Sequence, residues 1–141
     1  MPSVVLDAST LVGALLRPGS VPERALLLAR ARATICLSTA VEQEIREVFG
    51  RPRFRKYLTP GRVDLIFGLL AAAERVEPGL KVTDCRDVKD NKYLELALAA
   101  GAGTIISSDA DLLVLHPWRG VEIVTPARYV AQAVTGSEAG T

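Results

Sequence analysis

Thr104-Ile105-Ile106-Ser107-Ser108-Asp109-Ala110-Asp111-Leu112-Leu113 passes from a β-branched apolar run, through two serines and two acids, back to leucine. A parallel strand buried on both faces reads as such a continuous run, so a strand is expected over 103–107. A short helix follows over 111–115. Near the amino terminus, Val4-Val5-Leu6-Asp7-Ala8-Ser9-Thr10 has the same layout. A strand over 4–6 ends at an acid, and capping residues lead into a helix over 11–16 that Arg17-Pro18-Gly19 stops. Strands that hand over directly to helices build an α/β sandwich around a parallel sheet.

The segments between fit that plan. Pro22 suits the first turn of a helix over 22–31, a strand follows over 34–37, and Ser38-Thr39 caps a helix over 40–49. The stretch 50–59 is basic and irregular, and Pro60 opens a helix to residue 73. A short strand is expected over 75–77, a helix from Asp90 to Ala100 capped by Gly101, a strand over 121–124 and a helix over 126–134. One domain spanning 1–135 is expected, with a frayed tail over 136–141.

Of the 141 residues, 49% are hydrophobic and 23% charged, a globular composition. A net charge of +1 gives no bulk attraction to nucleic acid, so any such surface must be local. Cys36 and Cys85 are too few for a disulfide framework and read as free buried thiols in a reducing cytoplasm. No apolar run reaches the roughly 20 residues a membrane span needs.

Five acids fall where strands end or helices begin, and in an α/β sheet ligands bind at that edge. Asp7 follows the first strand. In the helix over 40–49, Glu42 and Glu44 flank the stripe of Val41, Ile45, Val48 and Phe49, and Glu47 points away; periodicity does not choose between the first two. Asp90 stands in line with the apolar side of its own helix, at Leu94, Ala97 and Leu98, where a carboxylate needs compensation. Asp109 and Asp111 share one turn, and Asp87 is a weaker candidate in a loop. Each acid alone reads equally as a helix cap or a solvated charge. Together they repel one another and call for a hard divalent cation. The single histidine, His116, lies outside these blocks and reads as structural.

Four blocks carry a family resemblance. They are Val4 to Leu11; Leu37-Ser38 through Glu44 to Phe54; Asp87-Val88-Lys89-Asp90-Asn91-Lys92-Tyr93-Leu94-Glu95-Leu96-Ala97; and Ile106 to Leu113. In that order, with a closing strand over 121–126, they resemble PIN-domain proteins along nearly the whole chain. The resemblance implies a three-layer α/β/α fold and an endoribonuclease dependent on Mg²⁺ (or Mn²⁺), the toxin of a toxin–antitoxin pair. Its catalytic acids fall at Asp7, Glu44, Asp90 and Asp109, with Asp111 as a further member, and its metal set at Asp7, Asp90 and Asp109. Substrate contacts are expected from Ser9, which stands where the family often has Asn, and from Asn91, Lys92, Arg51 and Arg53. Arg51, Arg53, Arg55 and Lys56, interleaved with Phe54 and Tyr57, suit phosphates and an unpaired base, or equally a solvated connection. The implied partners are RNA, an antitoxin and a second copy of the chain, the last through the Leu/Ala-rich segments 24–31 and 63–73. The alternative is an inert PIN-like module that binds RNA or protein without turnover.

Overall fold

Five short strands form one parallel sheet in the order β3-β2-β1-β4-β5: β1 Ser3–Leu6, β2 Thr34–Leu37, β3 Glu74–Arg75, β4 Thr104–Ile106 and β5 Glu122–Val124. The computed structural model describes residues 1–139. The helices are α1 Ala8–Leu16, α2 Val21–Arg32, α3 Thr39–Phe49, α4 Pro60–Ala72, α5 Asn91–Ala100, α6 Ala110–Leu113 and α7 Pro126–Ala139. They complete a three-layer α/β/α sandwich: the alternation of apolar runs and capped helices foretold the parallel sheet between helices, and the family resemblance implied the three layers.

Val4, Val5, Leu6, Ile35, Cys36, Leu37, Ile105, Ile106, Ile123 and Val124 are buried, so the four adjoining strands β2, β1, β4 and β5 form the core of the sheet. Helix α5 packs on β1, β2 and β4, while α1 packs on α2, and α2 on α7. Buried Leu94, Leu96 and Ala97 carry the α5 contact, and Gly101, at φ 64°, ends the helix in the left-handed conformation. The stripes proposed for self-association are largely used inward: Leu26 and Ala29 of α2, and Ile66, Leu69 and Leu70 of α4, are buried. Phe67 of α4 remains exposed. Both cysteines are free and buried. Among the described residues no helix is long and apolar enough to cross a membrane.

Several boundaries differ from expectation for local reasons. Helix α1 starts at Ala8, because Asp7 itself is the cap and accepts from Thr10 N. Strand β3 lies one residue before the expected start at Arg75, and Glu77 instead accepts the Thr39 amide and hydroxyl at the start of α3. The stretch expected to be irregular contains a 3-10 helix, Pro52–Tyr57, anchored by buried Phe54. Of the tail expected over 136–141, the backbone through Ala139 continues α7, and residues 140–141 lie outside the described residues.

Candidate active site

The chain leaves β1 toward β2 and β3, then returns to place β4 on the other side of β1. The crevice between β1 and β4 at their carboxyl ends is therefore the switch point where α/β sheets bind ligands. Leu6 pairs with Ile106, which sets Asp7 beside Ser107. Asp7 is 2% exposed. Its Oδ1 accepts from Ser9 Oγ (2.8 Å), Thr10 N (2.9 Å) and Thr10 Oγ1 (2.9 Å), and its Oδ2 accepts from Ser107 Oγ. Burial pushes the Asp7 carboxyl above the usual range, and these hydrogen bonds only partly restore it. Ser107 Oγ also accepts from Asp109 N at 2.9 Å, so one hydroxyl ties the first acid to the fourth block.

Asp90 is held differently. It ends a 3-10 turn, Val88–Asp90, and precedes α5, yet its side chain makes no capping bond. It is 7% exposed, and its Oδ2 is buried without a hydrogen-bond partner among the described residues. Burial first, then the hydrogen bond with Asp109 and the charges of Asp109, Asp87 and Glu44, push its carboxyl up to about 8. Such a group is starved of a positive partner. Asp87, Asp90 and Asp109 each offer an oxygen, and the three atoms lie within 4.8 Å of one another. An all-carboxylate set with an orphaned buried oxygen fits a hard divalent ion such as Mg²⁺ or Mn²⁺.

Glu44 comes from α3. Its Oε2 accepts from the Tyr93 hydroxyl at 2.5 Å and pairs with Lys92 Nζ at 3.1 Å. The same hydroxyl accepts from Ala8 N at 3.1 Å, so Tyr93 joins the starts of α1 and α5 to α3. Burial and the Glu44 carboxylate hold the Tyr93 phenol far above its ordinary range, and it stays protonated. Glu42, the other acid left open by periodicity, pairs with Arg46 and Arg75 instead.

Asp7, Ser9, Glu44, Asp90, Tyr93 and Asp109 line a cavity of about 340 Å³ together with Arg51, Arg53 and Phe54. The Arg53 guanidinium lies 4.8 Å from the Phe54 ring centroid, and Arg51 reaches Glu47 at 3.4 Å. Three expected members stand off this cavity. The Asp111 amide donates to Asp109 Oδ1, and its carbonyl accepts from the Cys85 thiol. Asn91 is buried, with Oδ1 accepting from Cys85 N at 2.8 Å, which secures the loop before α5. Lys92 reaches the site only through Glu44.

Sequence reasoning missed Tyr93 and Ser107 and underrated Asp87. The available signal for Asp87 was its spacing of three before Asp90, which one 3-10 turn stacks on the same side.

The PIN-domain model matches residues 3–111. An uncharacterized protein of Methanocaldococcus jannaschii is 32% identical over 118 residues, covering 80% of this chain and 74% of that protein. VapBC2 from Rickettsia felis, solved bound to a DNA fragment from their promoter, contains a chain of similar fold. The TM-score is 0.59 at 13% identity, over 87% of this chain and 98% of that one. PAE2754 from Pyrobaculum aerophilum matches with TM-score 0.58 at 13% identity, over 95% of this chain and 90% of its own. By the extent of the family match, its order of acidic blocks and its fold, the chain belongs to the PIN-domain family.

Proposed function

We propose that this protein is a divalent-metal-dependent endoribonuclease, the cytoplasmic toxin of a toxin–antitoxin pair. The observation that carries the reading is the buried Asp90 oxygen without a partner, beside Asp109, in an acidic cavity at the switch point of the sheet. Asp7, Asp90 and Asp109 would hold Mg²⁺ or Mn²⁺, directly or through water, and Glu44 would complete the acidic wall. An ion bound there would lower the pKa of a coordinated water and offset phosphate charge. Asp7 fixes Asp109 through Ser107, and Tyr93 and Lys92 hold Glu44 in one orientation. Asp111 supports the turn that carries Asp109.

Arg51 and Arg53, which line the same cavity, would grip phosphates of a single strand. The likeness to the VapBC2 structure supports an antitoxin partner, and the exposed Phe67 face of α4 supports self-association. Incubating labelled single-stranded RNA and DNA with Mg²⁺, Mn²⁺ or chelator tests the activity. RNA fragments bearing 5′-phosphates, formed only with metal, are expected. Metal binding without any cleavage would favour the inert module.

The basic wall gives its own expectation. In an Asp90→Asn background, Arg51→Ala/Arg53→Ala should weaken RNA binding and flatten its log–log salt dependence by about 1.4, or roughly 0.7 per lost phosphate contact. Fluorescence anisotropy across a KCl series measures it. An unchanged slope assigns both arginines to Glu47 pairing and ring stacking alone.

A further inference from the structure

The acids of the cavity answer a cation and a phosphate, but Val12, Val48 and Phe54 line it as well, and those two ligands leave them bare. We propose that these three side chains form a subsite for one unpaired nucleobase of the strand being cut. Base binding there deepens the ribonuclease reading and rests on it for the reaction, but is measurable without cleavage.

Helix periodicity places the subsite. Asp7 caps α1 and Ala8 opens it, so Val12, four residues after Ala8, projects on the same face one turn further along. Val48 likewise stands four residues beyond Glu44 on α3, and α1 packs against α3. Each helix thus brings a polar group to the acidic end of the cavity and a valine about 5.4 Å beyond it. That step is comparable with the one from a phosphate across its ribose to the base. The third wall is Phe54, carried by the 3-10 helix Pro52–Tyr57. Phe54 is 7% exposed and Val48 8%, so packing fixes both while they border the cavity.

The neighbours identify the occupant. The Arg53 guanidinium, 4.8 Å from the Phe54 ring centroid, has no carboxylate partner among the described residues and is free to meet a phosphate. A ligand that is anionic at one end and apolar at the other matches such a cavity, and in a nucleic acid strand the apolar part is the base. Bases pack their faces on aromatic and apolar groups with little regard to sequence. In a duplex those faces are covered by neighbouring bases, so the slot selects an unpaired nucleotide. The volume of about 340 Å³ falls within the ~300–1,000 Å³ of pockets that enclose a small ligand.

The test is fluorescence anisotropy in the Asp90→Asn background, comparing a single-stranded RNA octamer with an octamer of abasic ribose phosphates. The base-bearing strand should bind at least about tenfold tighter at both about 0.1 M and about 0.5 M KCl, because base packing is not screened as phosphate contacts are. Val12 is half-buried. Val12→Asn should cut the advantage to about threefold or less, leaving the abasic strand within about twofold of its parent affinity. Val12→Ile should keep the advantage, and circular dichroism checks both folds. Equal affinity for the two strands, or an advantage that a folded Val12→Asn leaves untouched, overturns the subsite. Failure of both strands to bind overturns it too. Cleavage by wild type, measured alongside, separates the readings. Metal-dependent RNA cleavage without a preference for bases rejects the subsite alone; a preference lost in Val12→Asn, without cleavage by wild type, rejects the nuclease alone.

Discussion

Asp90→Asn should lower metal-dependent RNA cleavage by at least about 10³-fold, because it removes a cation ligand that no neighbouring side chain can replace. The same substitution should leave the fold intact. The amide keeps the shape of the carboxyl while removing a charge that is buried, uncompensated without metal, and set against Asp109 and Asp87. Removing an unpaired buried charge stabilises. In chelator at pH 8 the variant should therefore melt above wild type, by roughly 3 °C or more. Opposite signs for activity and metal-free stability distinguish a functional carboxylate from a structural one. If Asp90 were a plain helix cap, its replacement would lower the melting temperature and leave cleavage near wild type.

Metal affinity should climb steeply with pH. The Asp90 carboxyl lies at about 8 in the metal-free protein, against an ordinary 3.8, so at pH 6 it carries a proton that a cation must displace. The apparent Mn²⁺ association constant should rise by about tenfold per pH unit up to about 8 and flatten above. Calorimetry in buffers of different ionisation enthalpy should register close to one proton released per ion near pH 6.

Folding stability follows the same group with its own sign. The metal-free native state retains a proton that the unfolded chain has lost above 3.8, so stability is fully present below that value and falls as pH rises toward 8. Asp7, raised by burial, acts in the same direction. The lowered carboxyls of Glu23 and Glu77 work the other way, but below about 4.5, outside this window. Saturating Mn²⁺ should remove the slope. A metal-free melting temperature that rises between pH 5 and 8 would mean that Asp90 is ionised and compensated by the protein.

The sheet was legible because Val4 to Leu6 and Thr104 to Ile106 are continuous apolar runs ending in capping acids, a local signature that tertiary structure did not override. Strand β3 is two exposed charged residues, Glu74 and Arg75, paired with Cys36 and Leu37 of β2; nothing in its own composition announces it. Asp90 was legible from its alignment with the apolar side of α5. The choice between Glu42 and Glu44 was not, since both flank one stripe and only the arrival of Lys92 and of Tyr93, the latter 49 residues away, separates them geometrically. The direction of the Asn91 amide was not legible either, because its place at the start of α5 says nothing of which way the side chain turns, and its Oδ1 accepts from Cys85 N.

Parallel purification of wild type and Asp90→Asn, each assayed on RNA with Mn²⁺ and with chelator, bears on the whole reading at once. Cleavage by wild type that chelator abolishes, and none by a folded Asp90→Asn, is the expected outcome. Equal cleavage by the two proteins, or cleavage indifferent to chelator, would mean that no cation held by these carboxylates does the chemistry.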